Sequence, residues 1–279
     1  MPINLITNTG HLKGSAYFAQ RANYCRGFTL VELIFALVIL GLVGSIGSSF
    51  LVATMDMYQR TSNRVTLMQK GRVVIEQLSR TLRGAVPNSV RISSTGKCVE
   101  FIPVVAGGYY INSLADSENG GTASSSVTIA PLSYSGSSAT QFLVAPLSSS
   151  DIYTAAATSS RAGVSSIAAN SITLSSAKLF TRNSSVHRYY LAENPKRFCL
   201  VSGSLYRYRG YGFLTSTLND ANPGGSADLM LNSLSQSGSN FSLSAGSEQR
   251  NTSVGIQLTL SAGTETVVLR HQVLVRNVP

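Results

Sequence analysis

Arg26-Gly27-Phe28-Thr29-Leu30-Val31-Glu32-Leu33 is the stretch on which the reading of this chain turns. It opens an apolar run that continues to about Ala53, 26 residues counted from Phe28, with Glu32 as its only charge. About 20 apolar residues in a helix cross the hydrocarbon core of a bilayer, so the run is long enough to span. It is too long for the apolar part of a secretory signal, about 7–15 residues, and no small-x-small cleavage site follows it. A carboxylate at the centre of a spanning helix costs about 2.5–3.5 kcal/mol and is rarely kept without a role. Lys13, Arg21 and Arg26 precede the run, and no Asp or Glu lies between Met1 and Gly27. That bias is expected to hold the N-terminus in the cytoplasm and to place residues after about Met55 across the membrane. Topology alone describes an ordinary single-span anchor.

The residues themselves say more. Gly27-Phe28-Thr29-Leu30-Val31-Glu32 resembles the type IV prepilin processing signal: a Gly before the cut, a Phe after it, a Glu four residues later, then an unbroken apolar helix. The resemblance implies a leader, residues 1–27, removed by a membrane-embedded prepilin peptidase that cuts between Gly27 and Phe28. It implies N-methylation of the new Phe28 amine. It also implies that Glu32 pairs with the terminal amine of a neighbouring subunit, since opposite charges attract strongly in apolar surroundings and an unpaired one is costly. The implied partners are other pilins through the helix, the peptidase and methylase, and the inner-membrane assembly machinery. The implied location is the inner membrane, then the pilus or cell surface. The leader is long for this class.

Beyond the span, from residue 54 to 86, the pattern becomes one-sided. Val65, Met68, Gly71, Ile75, Leu78, Leu82 and Ala85 recur at three or four residues, while Arg64, Arg72, Glu76, Arg80 and Arg83 take other faces. This is the period of an amphipathic helix, ended by Pro87 after Ala85. Gly41, Gly44 and Gly47 recur every third residue of the span. They fit either close helix packing or a weak point that extends on assembly.

From 87 to 279 Gly, Ser, Thr, Asn and Tyr dominate and short β-type runs appear: Lys97–Val105, Val127–Tyr134, Gln141–Leu147, Ser171–Leu179, Val186–Ala192, Arg197–Val201, Leu205–Tyr208, Leu229–Leu234, Val254–Leu260 and Thr266–Val275. Ser202-Gly203-Ser204 and Ser261-Ala262-Gly263-Thr264 read as hairpin turns. Val254–Leu260 alternates, as a strand with one face on a core and one in solvent does. Leu114–Ser126 and Asn219–Ala227 read as insertions or mobile loops, and Ser/Ala-rich Ser148–Asn170 as a stretch with little ordered packing. The expected fold class is α+β: a long N-terminal helix, transmembrane then amphipathic, packed on a C-terminal antiparallel β-sheet domain.

The formal charge is +10; the leader carries three basic residues and no acids, which leaves about +7. Arg60, Arg64, Lys70, Arg72, Arg80 and Arg83 lie on the helix, and no Lys/Arg run alternates with aromatics. A solvated face or an acidic partner is expected, not nucleic acid. Of three cysteines, Cys25 leaves with the leader, and Cys98 and Cys199 remain on the oxidising side of the membrane. A disulfide between them is the preferred reading, with two buried thiols the alternative. Two cysteines with dispersed His187 and His271 make no metal site, and no cofactor is expected. Asp220, Asn222 and Asp228 sit in a Gly/Pro-rich loop that could ligate Ca²⁺ but reads as turn chemistry. No GxSxG, P-loop, H-E-x-x-H or CxxC occurs, so an enzyme is not expected. Tyr109-Tyr110, Tyr189-Tyr190 and Tyr206, Tyr208 and Tyr211 read as strand packing, or as a glycan-binding patch.

Leu82-Arg83-Gly84-Ala85-Val86-Pro87-Asn88-Ser89-Val90-Arg91 leading into Cys98-Val99-Glu100-Phe101-Ile102-Pro103, Arg197-Phe198-Cys199 before Leu205–Tyr208, and the ending His271–Pro279 together resemble the large minor pilins of mannose-sensitive haemagglutinin (MSHA) systems. That resemblance implies a minor, low-copy structural subunit. A minor pseudopilin of a type II secretion system shares the N-terminal features, and an adhesin whose β domain recognises a ligand is a third reading.

Overall fold

The apolar run and the one-sided run form one helix, α1, Leu30–Arg83. The structure, a computed structural model, describes residues 27–154, 158–214, 217–235, 237–246 and 251–276. The leader residues 1–26, with Lys13, Arg21, Cys25 and Arg26, lie outside these. The chain divides into two units, one ending at Met55 and one beginning at Asp56.

In the first unit the large apolar side chains are exposed; Leu37 is 61% exposed. Gly41, Gly44 and Gly47 leave open space where a Cβ would stand, and the helix passes through them without a break. The Ser45, Ser48 and Ser49 hydroxyls donate to carbonyls three residues earlier, and Thr54 to carbonyls three and four earlier. Each hydroxyl is thus satisfied within its own helix, as an apolar surrounding demands.

In the second unit α1 buries Leu67, Gly71, Val74, Leu78, Ser79 and Leu82. Its last turn tightens, with Gly84 and Ala85 amides donating to Thr81 and Leu82 carbonyls. The helix therefore stops at Arg83, two residues before the expected end. The Gly84 carbonyl accepts from Val104, and the Val86 amide donates to Ile102, so the chain has turned into sheet-type pairing before Pro87.

Fourteen strands and one short helix follow in the described residues. They are β1 Arg91–Ile92, β2 Cys98–Phe101, β3 Val104–Tyr109, β4 Ser124–Thr128, β5 Gln141–Val144, α2 Ser149–Tyr153, β6 Arg161–Ile167 and β7 Ser171–Lys178. Then come β8 Arg188–Ala192, β9 Lys196–Val201, β10 Ser204–Arg209, β11 Ser226–Leu231, β12 Asn240–Ser244, β13 Thr252–Ala262 and β14 Glu265–Val275. They form antiparallel sheets ordered β1-β2-β9-β10-β11, β12-β13-β14 and β3-β8-β5-β6-β7-β4. The helix stripe, led by Leu67, Val74, Leu78 and Leu82, packs against both the five-stranded sheet (Val99, Phe101, Phe198) and the three-stranded sheet (Val254, Ile256, Leu258). The six-stranded sheet has its own core of Phe142, Ile172, Phe180, Tyr189 and Leu191. The α+β layout of the sequence reading holds.

Several boundaries move, each for a local reason. Lys97–Val105 is not one strand: Pro103 has no amide to donate, and β2 and β3 belong to different sheets. Val127–Tyr134 is replaced by β4, which begins at Ser124, inside a stretch read as a mobile loop. Gln141–Leu147 stops at Val144, before Ala145 at φ 41°. Val186–Ala192 starts at Arg188, after His187 at φ 52°. Leu229–Leu234 shifts to β11, taking Ser226 and Ala227 from the second loop. Ser148–Asn170 is ordered in its described part: α2 buries Ile152 and Tyr153, and β6 joins the six-stranded sheet. The expected half-solvated Val254–Leu260 is buried on more than one face. Thr259 is covered by the Gly238–Ser239 turn, bonding to the Gly238 carbonyl and the Ser239 hydroxyl. The Ser202-Gly203 turn has positive φ at both residues, 47° and 74°, the requirement of a two-residue hairpin that matches strand twist.

Candidate processing and assembly site

Gly27, Phe28 and Thr29 precede the helix in non-helical backbone. Phe28 is 74% exposed, and nothing lies within 4 Å of a Cβ placed on Gly27. Among the described residues the Gly27–Phe28 peptide thus lies outside the helix and is open to solvent. Thr29 is the cap: its Oγ1 accepts from the Glu32 amide at 3.2 Å, and its carbonyl accepts from Leu33. Thr29 and Glu32 stand three apart in the order of a capping box. Glu32 lies in the first turn of α1, where the helix dipole favours a carboxylate. Glu32 is exposed among apolar neighbours, so within the described chain it offers an anion with no cation.

Cys98 and Cys199 stand directly opposite in the β2–β9 register and are joined by a disulfide, Cα atoms 4.2 Å apart. Both are buried, beneath Tyr208 and Leu218. The same register sets Glu100 opposite Arg197. Glu100 is fully buried and binds Arg91 at 2.5 Å, Arg197 at 3.1 Å and the Tyr211 hydroxyl at 2.8 Å. Arg91 also donates to the Leu214 carbonyl, and Arg197 to the Ala221 carbonyl. Burial, then the charge of Glu100, pushes the Tyr211 hydroxyl far above its usual range. This cluster ties the segment after β10 to the sheet. Sequence reasoning missed it. Had the cysteines been taken as a facing antiparallel pair, residue numbers of constant sum would have set Glu100 against Arg197.

The other singled-out residues are dispersed. Asp228 is held by Arg207 and Arg209, whose hydrogen bonds lower its pKa. Asp220 accepts from Thr95, and Asn222 from the Gly224 amide. Their oxygens serve turns and ion pairs. His187 stacks on Tyr110 at 4.8 Å, while His271 is exposed on β14. No group of three or more His, Cys, Asp or Glu could hold a metal among the described residues. Tyr110, Tyr189 and Tyr208 are buried in cores, whereas Tyr109 is exposed.

Residues 22–48 match the family model for the prokaryotic N-terminal methylation motif. No curated protein and no solved structure shows a significant match to the chain. The chain therefore carries the prepilin-type methylation motif, the signal of type IV pilins, which supports a pilin-like or pseudopilin protein and implies processing by prepilin peptidase. Its one described helix long and apolar enough to cross a membrane begins inside that motif.

Proposed function

We propose that the chain is a minor type IV pilin of the MSHA type, a structural subunit made as a prepilin. Prepilin peptidase cuts it between Gly27 and Phe28, and Phe28 becomes the N-methylated terminus. Phe28–Ala53 anchors it in the inner membrane, N-terminus cytoplasmic and β domain periplasmic, until it is extracted into the pilus. There the same segment packs with other pilins, and Glu32 pairs with a neighbour's terminal amine. The observation that carries this reading is a methylation motif running into the apolar first part of α1, whose only carboxylate up to Ala53, Glu32, sits in the first turn. The stretches around Arg91, Cys98, Cys199 and the C-terminus support the MSHA assignment, and the 279-residue length supports a minor role. The N-terminal features serve a minor pseudopilin equally well; loss of surface pili, rather than of protein secretion, on deletion of the gene separates the two.

The test is the intact mass of membrane-extracted protein from cells with and without the peptidase. A species beginning at N-methyl-Phe28, absent without the peptidase, is expected. Retention of residues 1–27 in both strains overturns the reading. Glu32→Ala is expected to be cleaved yet to fail in assembly, since the Thr29 cap is untouched; normal piliation removes the pairing role.

A further inference from the structure

Part of the positive charge of the second unit borders two adjoining clefts. One, of about 520 Å³, runs between α1 and β14 and is lined by Arg72, Arg80, Arg83 and Arg270. The other, of about 740 Å³, is lined by Arg83, Arg188 and Arg276 with Tyr109 and Tyr190. Arg83 belongs to both, so six arginines border one continuous surface. Among the described residues Glu76, paired with Arg80, is the only acid lining either cleft.

The acids elsewhere already have partners. Glu118 and Asp151 share Arg182, Glu193 holds Lys196, Asp228 holds Arg207 and Arg209, and Glu100 holds Arg91 and Arg197. Asp116 is buried, and Asp220 accepts from Thr95. Among the described residues of this unit that leaves Asp56 and Glu265, two single carboxylates rather than an acidic face. A second copy would set arginines against arginines, and like charges in juxtaposition oppose association. An apolar floor at the first cleft, Ile75 and Leu269, suits the side-chain methylenes of a polypeptide better than a polysaccharide or a phosphate backbone.

We infer that these clefts dock an acidic surface of a different protein chain, so that this subunit associates with unlike neighbours on this face. The inference rests on the reading of the chain as an assembly subunit. Its test is independent of processing: full-length protein in neutral detergent micelles is titrated with labelled poly-L-glutamate, alginate and oligo-dT at equal charge, over a range of salt.

Poly-L-glutamate stands for an acidic protein surface. Arg72→Ala/Arg83→Ala is expected to weaken its binding about tenfold, whereas Arg60→Ala/Arg64→Ala, on the same helix outside the clefts, changes it less than about twofold. All four positions are exposed and Ala favours helix, so both variants fold, checked by far-UV circular dichroism. Equal losses in the two variants overturn the inference. Tighter binding of alginate or oligo-dT reassigns the clefts to a polysaccharide or a nucleic acid, and a dimer abolished by the cleft variant assigns them to a second copy. Either outcome refutes an unlike acidic protein. Failure of the filament reading appears separately, in the intact mass.

Discussion

The two halves of α1 obey different physics. From Asp56 to Arg83 one stripe is buried: Leu78 and Leu82 are fully covered by sheet side chains, and most other positions are polar, with Val65 and Val73 among the exposed exceptions. From Leu30 to Met55 every face is apolar and exposed. Water does not tolerate a contiguous apolar surface of that extent on a stable monomer. The first half is therefore written for an environment that the chain itself does not provide, lipid or other helices. The second half is written for the chain's own sheets. The change of period at about Met55 marks the place where the hydrophobic partner changes.

The sharpest way to separate the halves is to loosen the body that the second one packs on. The disulfide closes a sequence separation of 101 residues, worth about 4–5 kcal/mol as an upper bound in the chain-entropy model. Cys98→Ser/Cys199→Ser is expected to lower the melting temperature of the sheet signal by near-UV circular dichroism. Helix from the first half should persist in micelles after that signal is lost. The pair should also resist thiol labelling in non-reduced mature protein; labelling of both cysteines would show that they are reduced there. Next, Leu78→Ala should cost about 2–5 kcal/mol by creating a cavity. Leu42→Ala, on the exposed half, should leave unfolding of the β domain unchanged.

A smaller effect has opposite sign in the two halves. Gly44→Ala meets nothing within 4 Å and should gain about 1 kcal/mol of helix propensity. At Gly71 the added methyl meets Leu269 Cδ1 and, at 3.3 Å, Leu260 Cδ1. Overpacking of about 1–3 kcal/mol should turn that gain into a net loss, read by chemical denaturation. Equal responses would mean that the second half is not pinned to its sheet.

The smallest concerns acid. Burial raises the pKa of Asp116, but hydrogen bonds from Asn119, Asn183 and the Glu118 amide outweigh it and hold the group below its ordinary 3.8. Its stabilisation is therefore complete above 3.8 and is lost as pH falls through the lower, folded value. Amide exchange around Leu114–Gly121 should quicken over that acid range, with no matching change in the first half of α1. Asp116→Asn should remove the effect.

These contrasts also explain what was legible in the sequence. Helical period and a continuous apolar run are local properties, so α1 and its division could be read directly. The β9–β10 and β13–β14 hairpins were legible because their turns are local too. Strands β6 and β12 were not, because RAGVSSI and NFSLS carry few apolar side chains and owe their order to neighbours distant in sequence. The Glu100 cluster was hidden for a related reason. A buried carboxylate looks like a surface residue until register brings two arginines to it. Gly27, Phe28 and Glu32 stood out because they form a compact motif, whereas the arginine clefts are assembled from α1, β8, β14 and Arg276.

The Thr29 cap carries one more consequence. The residue that closes the first turn of α1 lies on the C-terminal side of the Gly27–Phe28 bond. Removal of the leader by a cut there takes away none of the groups that start the helix. Under the proposed cleavage the subunit would leave the peptidase with its helix entrance already finished, and the later methyl group would fall on an amine outside that cap.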